Sequence, residues 1–167
     1  QVLRFLFIVL LIFGIFFRFF NLDRKVYWFD EVYTSFRVAG YTSAQIDREI
    51  FQNKIITPPD LQKFQQIKPQ STVVDTLNSL AKEDPQHPPL YFLMARGWMK
   101  MFGGSLGASR SLPAFLSLLS LPLMYGLAME LFASKFTATI ATALLALSPF
   151  DILFAQTARQ YSLLTAA

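Results

Sequence analysis

Phe5-Leu6-Phe7-Ile8-Val9-Leu10-Leu11-Ile12-Phe13-Gly14-Ile15-Phe16-Phe17 carries no charge and no polar side chain, and its reading decides the fold. Arg4 and Arg18 bracket it, where long cationic side chains can snorkel out of hydrocarbon. The segment from Val2 to Phe20 therefore predicts a membrane-spanning helix. A secretory signal peptide is the rival reading. The stretch Phe17-Arg18-Phe19-Phe20-Asn21-Leu22-Asp23 lacks a small-residue cleavage site, which favours an anchor.

Two further apolar runs lie in the second half of the chain. Leu112 to Met129 is free of charge up to its end and long enough, with its flanks, to cross about 30 Å of hydrocarbon. Phe136 to Phe154 is a third, interrupted by Pro149 and Asp151, and Tyr161 to Ala167 reads as the start of a fourth. Composition agrees: 53% of the 167 residues are hydrophobic, 18 are Phe, and only 16% are charged, below the roughly 25% of an ordinary soluble domain. The charges are also segregated. Eleven of fifteen Lys and Arg, and nine of eleven Asp and Glu, fall between Asn21 and Arg110. This is the pattern of an all-α polytopic membrane protein with one large polar insertion. The expected organisation is a first transmembrane helix over 1–20, an extracytoplasmic loop with juxtamembrane helices over 21–110, a second transmembrane helix over 111–132, a third over 136–154, and the start of a fourth over 159–167. A chain that begins at Gln1 and stops inside an apolar run reads as a piece of a larger protein.

The net charge of +4 is not a nucleic-acid signature, because acids are interspersed and no single segment concentrates the bases. A mild cationic excess suits anionic lipid head groups instead. Cysteine is absent, which excludes a disulfide framework and a thiolate metal site. Lys135, in the tight connection Ala133-Ser134-Lys135, favours the cytoplasmic side, as does Arg4. The long 21–110 segment and the junction after Ser148-Pro149-Phe150 are then extracytoplasmic.

Within the long loop the periodicity is helical, without strand-like alternation. Thr42 and Gln45 have capping-box spacing for a helix through Phe51. Asn53 to Gln70, with Pro58, Pro59 and Pro69, reads as an irregular excursion. Ser71 is placed to cap a helix whose apolar face is Val73, Val74, Leu77, Leu80 and Ala81, broken at Asp84-Pro85-Gln86. Leu90 to Phe102 reads as an amphipathic helix at the membrane surface. Its apolar side is Leu90, Leu93, Met94, Trp98, Met101 and Phe102, and Arg96 and Lys100 face water or anionic head groups.

Chemistry concentrates at two places. Asp30 and Glu31 are adjacent carboxylates in Tyr27-Trp28-Phe29-Asp30-Glu31-Val32-Tyr33, a short step beyond the first span. A lipid-linked substrate presents its head group in that zone. The competing explanation is that Asp30 caps a helix from Glu31 to Ala39 that ends at Gly40. His87, the only histidine, precedes Pro88 and Pro89, whose fixed backbone gives an extended approach and then a helix start. A lone loop histidine is commonly a surface residue; here the rigid elbow would aim the ring along the interface.

The ordered set of a span, Asp30-Glu31, a helical loop and His87-Pro88-Pro89-Leu90-Tyr91-Phe92-Leu93 with its Trp98 and Phe102-Gly103 tail carries a resemblance. It continues with Ser109-Arg110-Ser111-Leu112-Pro113-Ala114, Leu147-Ser148-Pro149-Phe150 and Ala155-Gln156-Thr157-Ala158-Arg159-Gln160-Tyr161-Ser162. The whole resembles the amino-terminal part of a GT-C glycosyltransferase of the protein-mannosyltransferase type, family 39, related to the aminoarabinose transferases. The resemblance implies transfer of a sugar from a polyprenyl-phosphate donor to an extracytoplasmic acceptor (protein, lipid or glycan) at a prokaryotic plasma membrane, with this piece alone inactive.

On that resemblance Asp30 matches the essential acid that orients or deprotonates the acceptor hydroxyl, a contribution of roughly 10²–10⁴-fold in rate. Glu31 supports it. His87, Arg159 and Tyr161 stand toward the donor phosphate, where Arg159 would stabilise the charge growing on the leaving group. Arg110 and Arg159 could equally anchor span ends. Asp151 and the Asn53–Gln70 excursion depart from the shared pattern; Asp151 is a candidate second carboxylate or metal ligand, and a divalent metal is left open. Besides donor and acceptor, the partners are membrane lipids, with no nucleic acid. The alternative is a non-enzymatic lipid carrier or assembly subunit on the same scaffold, and Asp30 discriminates, since a carrier has no need of an acid there.

Overall fold

The computed structural model describes residues 1–53 and 55–167, and every described regular element is helical. The chain divides into two compact units, one made of Gln1–Arg24 with Arg110–Ala167 and the other of Lys25–Ser109.

The first unit holds α1 (Val2–Phe19), most of α7 (Leu106–Phe132), α8 (Lys135–Ala146), α9 (Pro149–Ala155) and α10 (Tyr161–Ala166). α1 and α7 are each long and apolar enough to cross a membrane, and α8 with α9 would make a third crossing bent by 57°. Phe5, Ile8, Ile12 and Phe16 of α1 point outward, as a lipid-facing surface requires. Helix α7 starts at Leu106, upstream of the apolar run, and keeps Pro113 and Pro122 inside it. Spanning helices tolerate such prolines because side-chain hydroxyls and neighbouring helices re-satisfy freed backbone groups.

Gly14 sets the approach of α1 to α8. A Cβ built there would lie 2.5 Å from the Ala146 carbonyl oxygen, so only glycine permits this spacing. Ala138, Thr142 and Ala146 of α8 are buried too, a small-residue seam of the kind that lets spanning helices pack backbone to backbone.

Arg18 corrects the expectation that it snorkels outward: its side chain is fully buried. Its guanidinium donates to Ala146 O at 2.6 Å, Leu145 O at 3.2 Å, Gly14 O at 2.9 Å and Ser117 Oγ at 3.1 Å, and it pairs with the Asp151 carboxylate. The reason lies in the bend. At the break α8 ends with unpaired carbonyls and partial negative charge, and α9 begins with partial positive charge. A cation at the first and a carboxylate in the opening turn of the second answer both. Ser148 caps α9, and Gln156 Nε2 ties its far end to Phe17 O and to Phe20 O at 2.9 Å.

The second unit holds α2 (Phe29–Ala39), α3 (Ser43–Ile50), α4 (Pro58–Gln62) with a 3₁₀ turn over Lys63–Gln65, α5 (Val73–Glu83) and α6 (Pro89–Phe102). The Thr42–Gln45 capping box forms, and α3 stops at Ile50. The Asn53–Gln70 stretch, apart from Lys54, which lies outside the described residues, is less irregular than expected. Thr57 and Asp60 close a capping box that starts α4, and the turn after it delivers Phe64, fully buried, into a cluster with Ala39, Tyr41 and Ile46. Burying one such aromatic is worth about 1.5–3 kcal/mol. Thr72, rather than Ser71, caps α5 and shares its carboxylate partner Asp75, which is held below the usual carboxylate range by the Thr72 backbone and hydroxyl donors.

The inward faces of α5 and α6 differ from the apolar stripes read in the sequence. α5 buries Thr76, Ser79 and Leu80 and leaves Val73 and Val74 outside. α6 buries Tyr91, Phe92, Arg96 and Met99 and exposes Leu90, Met101 and Phe102. Arg96 is therefore not a water-facing cation, whereas Lys100 is exposed. The cause is the end of α2, whose last carbonyls need donors. Thr76 Oγ1 and Arg96 Nη1 each reach Val38 O at 3.0 Å, Ser71 Oγ reaches Ala39 O, and Ser79 Oγ donates to Tyr41 O. Burial pulls the Arg96 guanidinium down from its ordinary value, with Asp75 opposing.

Candidate active site

Asp30 and Glu31 share the first turn of α2, where carboxylates complement the positive helix end. Trp28 occupies the N-cap position, so Asp30 is inside the helix and is not its cap. The two acids divide. Glu31 is 1% exposed and its carboxylate accepts the Trp28 backbone N–H at 3.4 Å, the one half of a capping box that an indole neighbour allows. Asp30 is half-buried, with its carbonyl taking the Thr34 hydroxyl at 2.8 Å. The helix ends as expected at Gly40, in the left-handed region at φ 90°, with its N–H on Phe36 O and Arg37 O.

His87 is half-buried in the turn between α5 and α6. Its backbone N–H goes to Asp84 O at 3.1 Å, and its ring centroid lies 6.1 Å from that of buried Phe92. Pro89 opens α6, as the elbow predicts. A residue not singled out from the sequence connects this turn to α2. Arg37 pairs with Asp84 at 2.7 Å through Nε and with Glu83 at 2.6 Å through Nη1, and Glu83 also takes the Ser43 N–H and hydroxyl. The helix carrying Asp30 and the turn carrying His87 are thus tied through one buried guanidinium. No local signal in the sequence marks Arg37, since its partners are far along the chain.

In the other unit Arg159 is half-buried in the Gln156–Gln160 turn, its guanidinium 5.9 Å from the Tyr161 ring centre, and that ring lies 4.7 Å from Phe154. Arg110 is buried and donates to Leu22 O at 2.8 Å. The Asp151 carboxylate balances Arg18. Among the described residues no three His, Cys, Asp or Glu side chains are grouped as a metal would need.

Helices of this length and apolarity, with a separate polar helical unit, define an all-α polytopic membrane protein. A family model described as dolichyl-phosphate-mannose-protein mannosyltransferase matches residues 76–160, just over half of the chain. The chain belongs to the dolichyl-phosphate-mannose-protein mannosyltransferase family, and its function is of the membrane-glycosyltransferase kind. The match covers His87, Asp151 and Arg159; Asp30 and Glu31 lie upstream of it and Tyr161 just beyond. No curated protein and no solved structure matches the chain.

Proposed function

We propose that this chain carries catalytic residues of an enzyme that moves a sugar from a polyprenyl-phosphate donor to an acceptor on the extracytoplasmic face of a prokaryotic plasma membrane. The family match is the observation that carries this reading. The roles assigned to its residues follow the family resemblance. Asp30, the more accessible of the two acids, takes the proton of the acceptor hydroxyl as its oxygen bonds to the anomeric carbon. The bond from that carbon to the phosphate oxygen breaks, and polyprenyl phosphate leaves with the electron pair. Glu31, bound to the Trp28 N–H, is a positioning residue for the first turn of α2. His87 and Arg159 meet the donor phosphate, where a fixed positive charge counts most, and Tyr161 steadies the Arg159 guanidinium by stacking.

A strain lacking the gene is expected to accumulate one polyprenyl-phosphate sugar and to lose one extracytoplasmic glycan, both seen by mass spectrometry of lipid extracts and envelope fractions. An unchanged pool of lipid-linked sugars would remove the transferase reading. The sidedness has its own test. With single cysteines at Gln65 and Lys135, a membrane-impermeant thiol reagent should label position 65 and spare 135 in intact cells. The reverse pattern would overturn the orientation.

A further inference from the structure

The spanning unit holds an open groove that the transfer reaction does not use. It runs between α1 and α8, has a volume of about 220 Å³, and is walled by side chains such as Leu6, Leu10, Ala143 and Leu147. From Leu3 to Leu10 it follows α1 for about 10 Å at a rise of about 1.5 Å per residue. Leu3, Phe7 and Thr139 also line an adjoining cavity of about 390 Å³. Its character is different. Arg4, Lys135 and Tyr125 stand in its wall. Neither cation takes part in an ion pair among the described residues.

We infer that this double cavity binds one anionic glycerophospholipid, its phosphate head group between Arg4, Lys135 and Tyr125 and one acyl chain along the groove. Two cations and a phenol hydroxyl at a span end match a phosphate by charge and by donors. The apolar groove starting from the same cavity matches a hydrocarbon chain. A free phosphate ion would leave the groove unfilled. Cations that serve only to orient the spans need no groove beside them.

The test uses the protein at its natural length, purified in a neutral detergent, with native mass spectrometry of lipid retention. Phosphatidylglycerol and phosphatidylcholine of identical acyl chains are supplied in equal amounts. Phosphatidylglycerol should be retained over phosphatidylcholine by about tenfold. The double variant Arg4→Gln, Lys135→Gln should bring the two lipids to parity, and Arg4→Lys should keep the preference. Ala143→Phe fills the groove without touching either cation and should lower retention of both lipids several-fold. Equal retention of the two lipids by the unaltered protein would overturn the proposal. So would an Ala143→Phe protein that holds phosphatidylglycerol as well as its parent does, or a crosslink placing another helix of the protein in the groove. If the double variant inserts wrongly, Ala143→Phe still decides.

Discussion

Asp30→Asn is expected to abolish sugar transfer while leaving insertion and folding intact. Asparagine is nearly isosteric with aspartate. Trp28, not Asp30, is the N-cap of α2, so no cap is removed. What stability the change costs is the loss of one first-turn carboxylate from a helix dipole, about 0.3–1 kcal/mol. An amide can neither accept the acceptor's proton nor carry the orienting charge, so the rate should fall roughly 10²–10⁴-fold. The measurement is transfer from a polyprenyl-phosphate sugar in membranes containing matched amounts of protein at its natural length. His87→Ala and Arg159→Ala should reduce transfer less, chiefly by raising the donor KM. An Asp30→Asn protein that transfers at close to the parent rate would make Asp30 a helix-dipole residue and end its assignment as the base.

The second large effect concerns stability. Arg18→Met should destabilise the spanning unit by about 3–5 kcal/mol, because it strands a buried carboxylate and removes donors from carbonyls at the α8–α9 bend. Adding Asp151→Leu should recover part of that, since replacing both members of a buried pair is far milder than removing one. Recovery stays incomplete because Leu145 O and Ala146 O still lack their donor. Arg18→Lys should fall between, keeping the charge without the planar fork that serves several acceptors at once. Thermal unfolding in detergent measures all four proteins. If Arg18→Met melts with an exposed control such as Lys100→Gln, the pair contributes nothing to stability.

The spans were legible in the sequence because apolar length alone determines them: α1 and α7 follow from their uncharged runs. Thr42 with Gln45, Gly40 and Pro89 were legible as local stereochemistry. Arg18 was not, because a cation near a span end has two outlets, and its carboxylate partner lies 133 residues away. The faces of α5 and α6 were misread for a related reason. Periodicity separates apolar from polar sides but does not say which is inside. Here the inside is set by the carbonyls of Val38 and Tyr41, which draw in Thr76, Ser79 and Arg96. Of the candidate site, the sequence pointed to Asp30 and His87 themselves, while the Arg37 tie between their segments emerged only from the fold.

The Arg18–Asp151 pair also imposes a timetable on biogenesis. The spanning unit is discontinuous, with the whole Lys25–Ser109 unit synthesised between its two parts. At roughly 5–20 residues per second, the ribosome needs on the order of 7–27 s to reach Asp151 after Arg18. For that interval the Arg18 guanidinium has the Gly14 carbonyl of its own helix as an acceptor, while its carboxylate partner does not yet exist. The buried ion pair of the first helix is therefore completed only once α9 has been made. Nascent chains arrested before Asp151 should accordingly be the stage most exposed to membrane quality control.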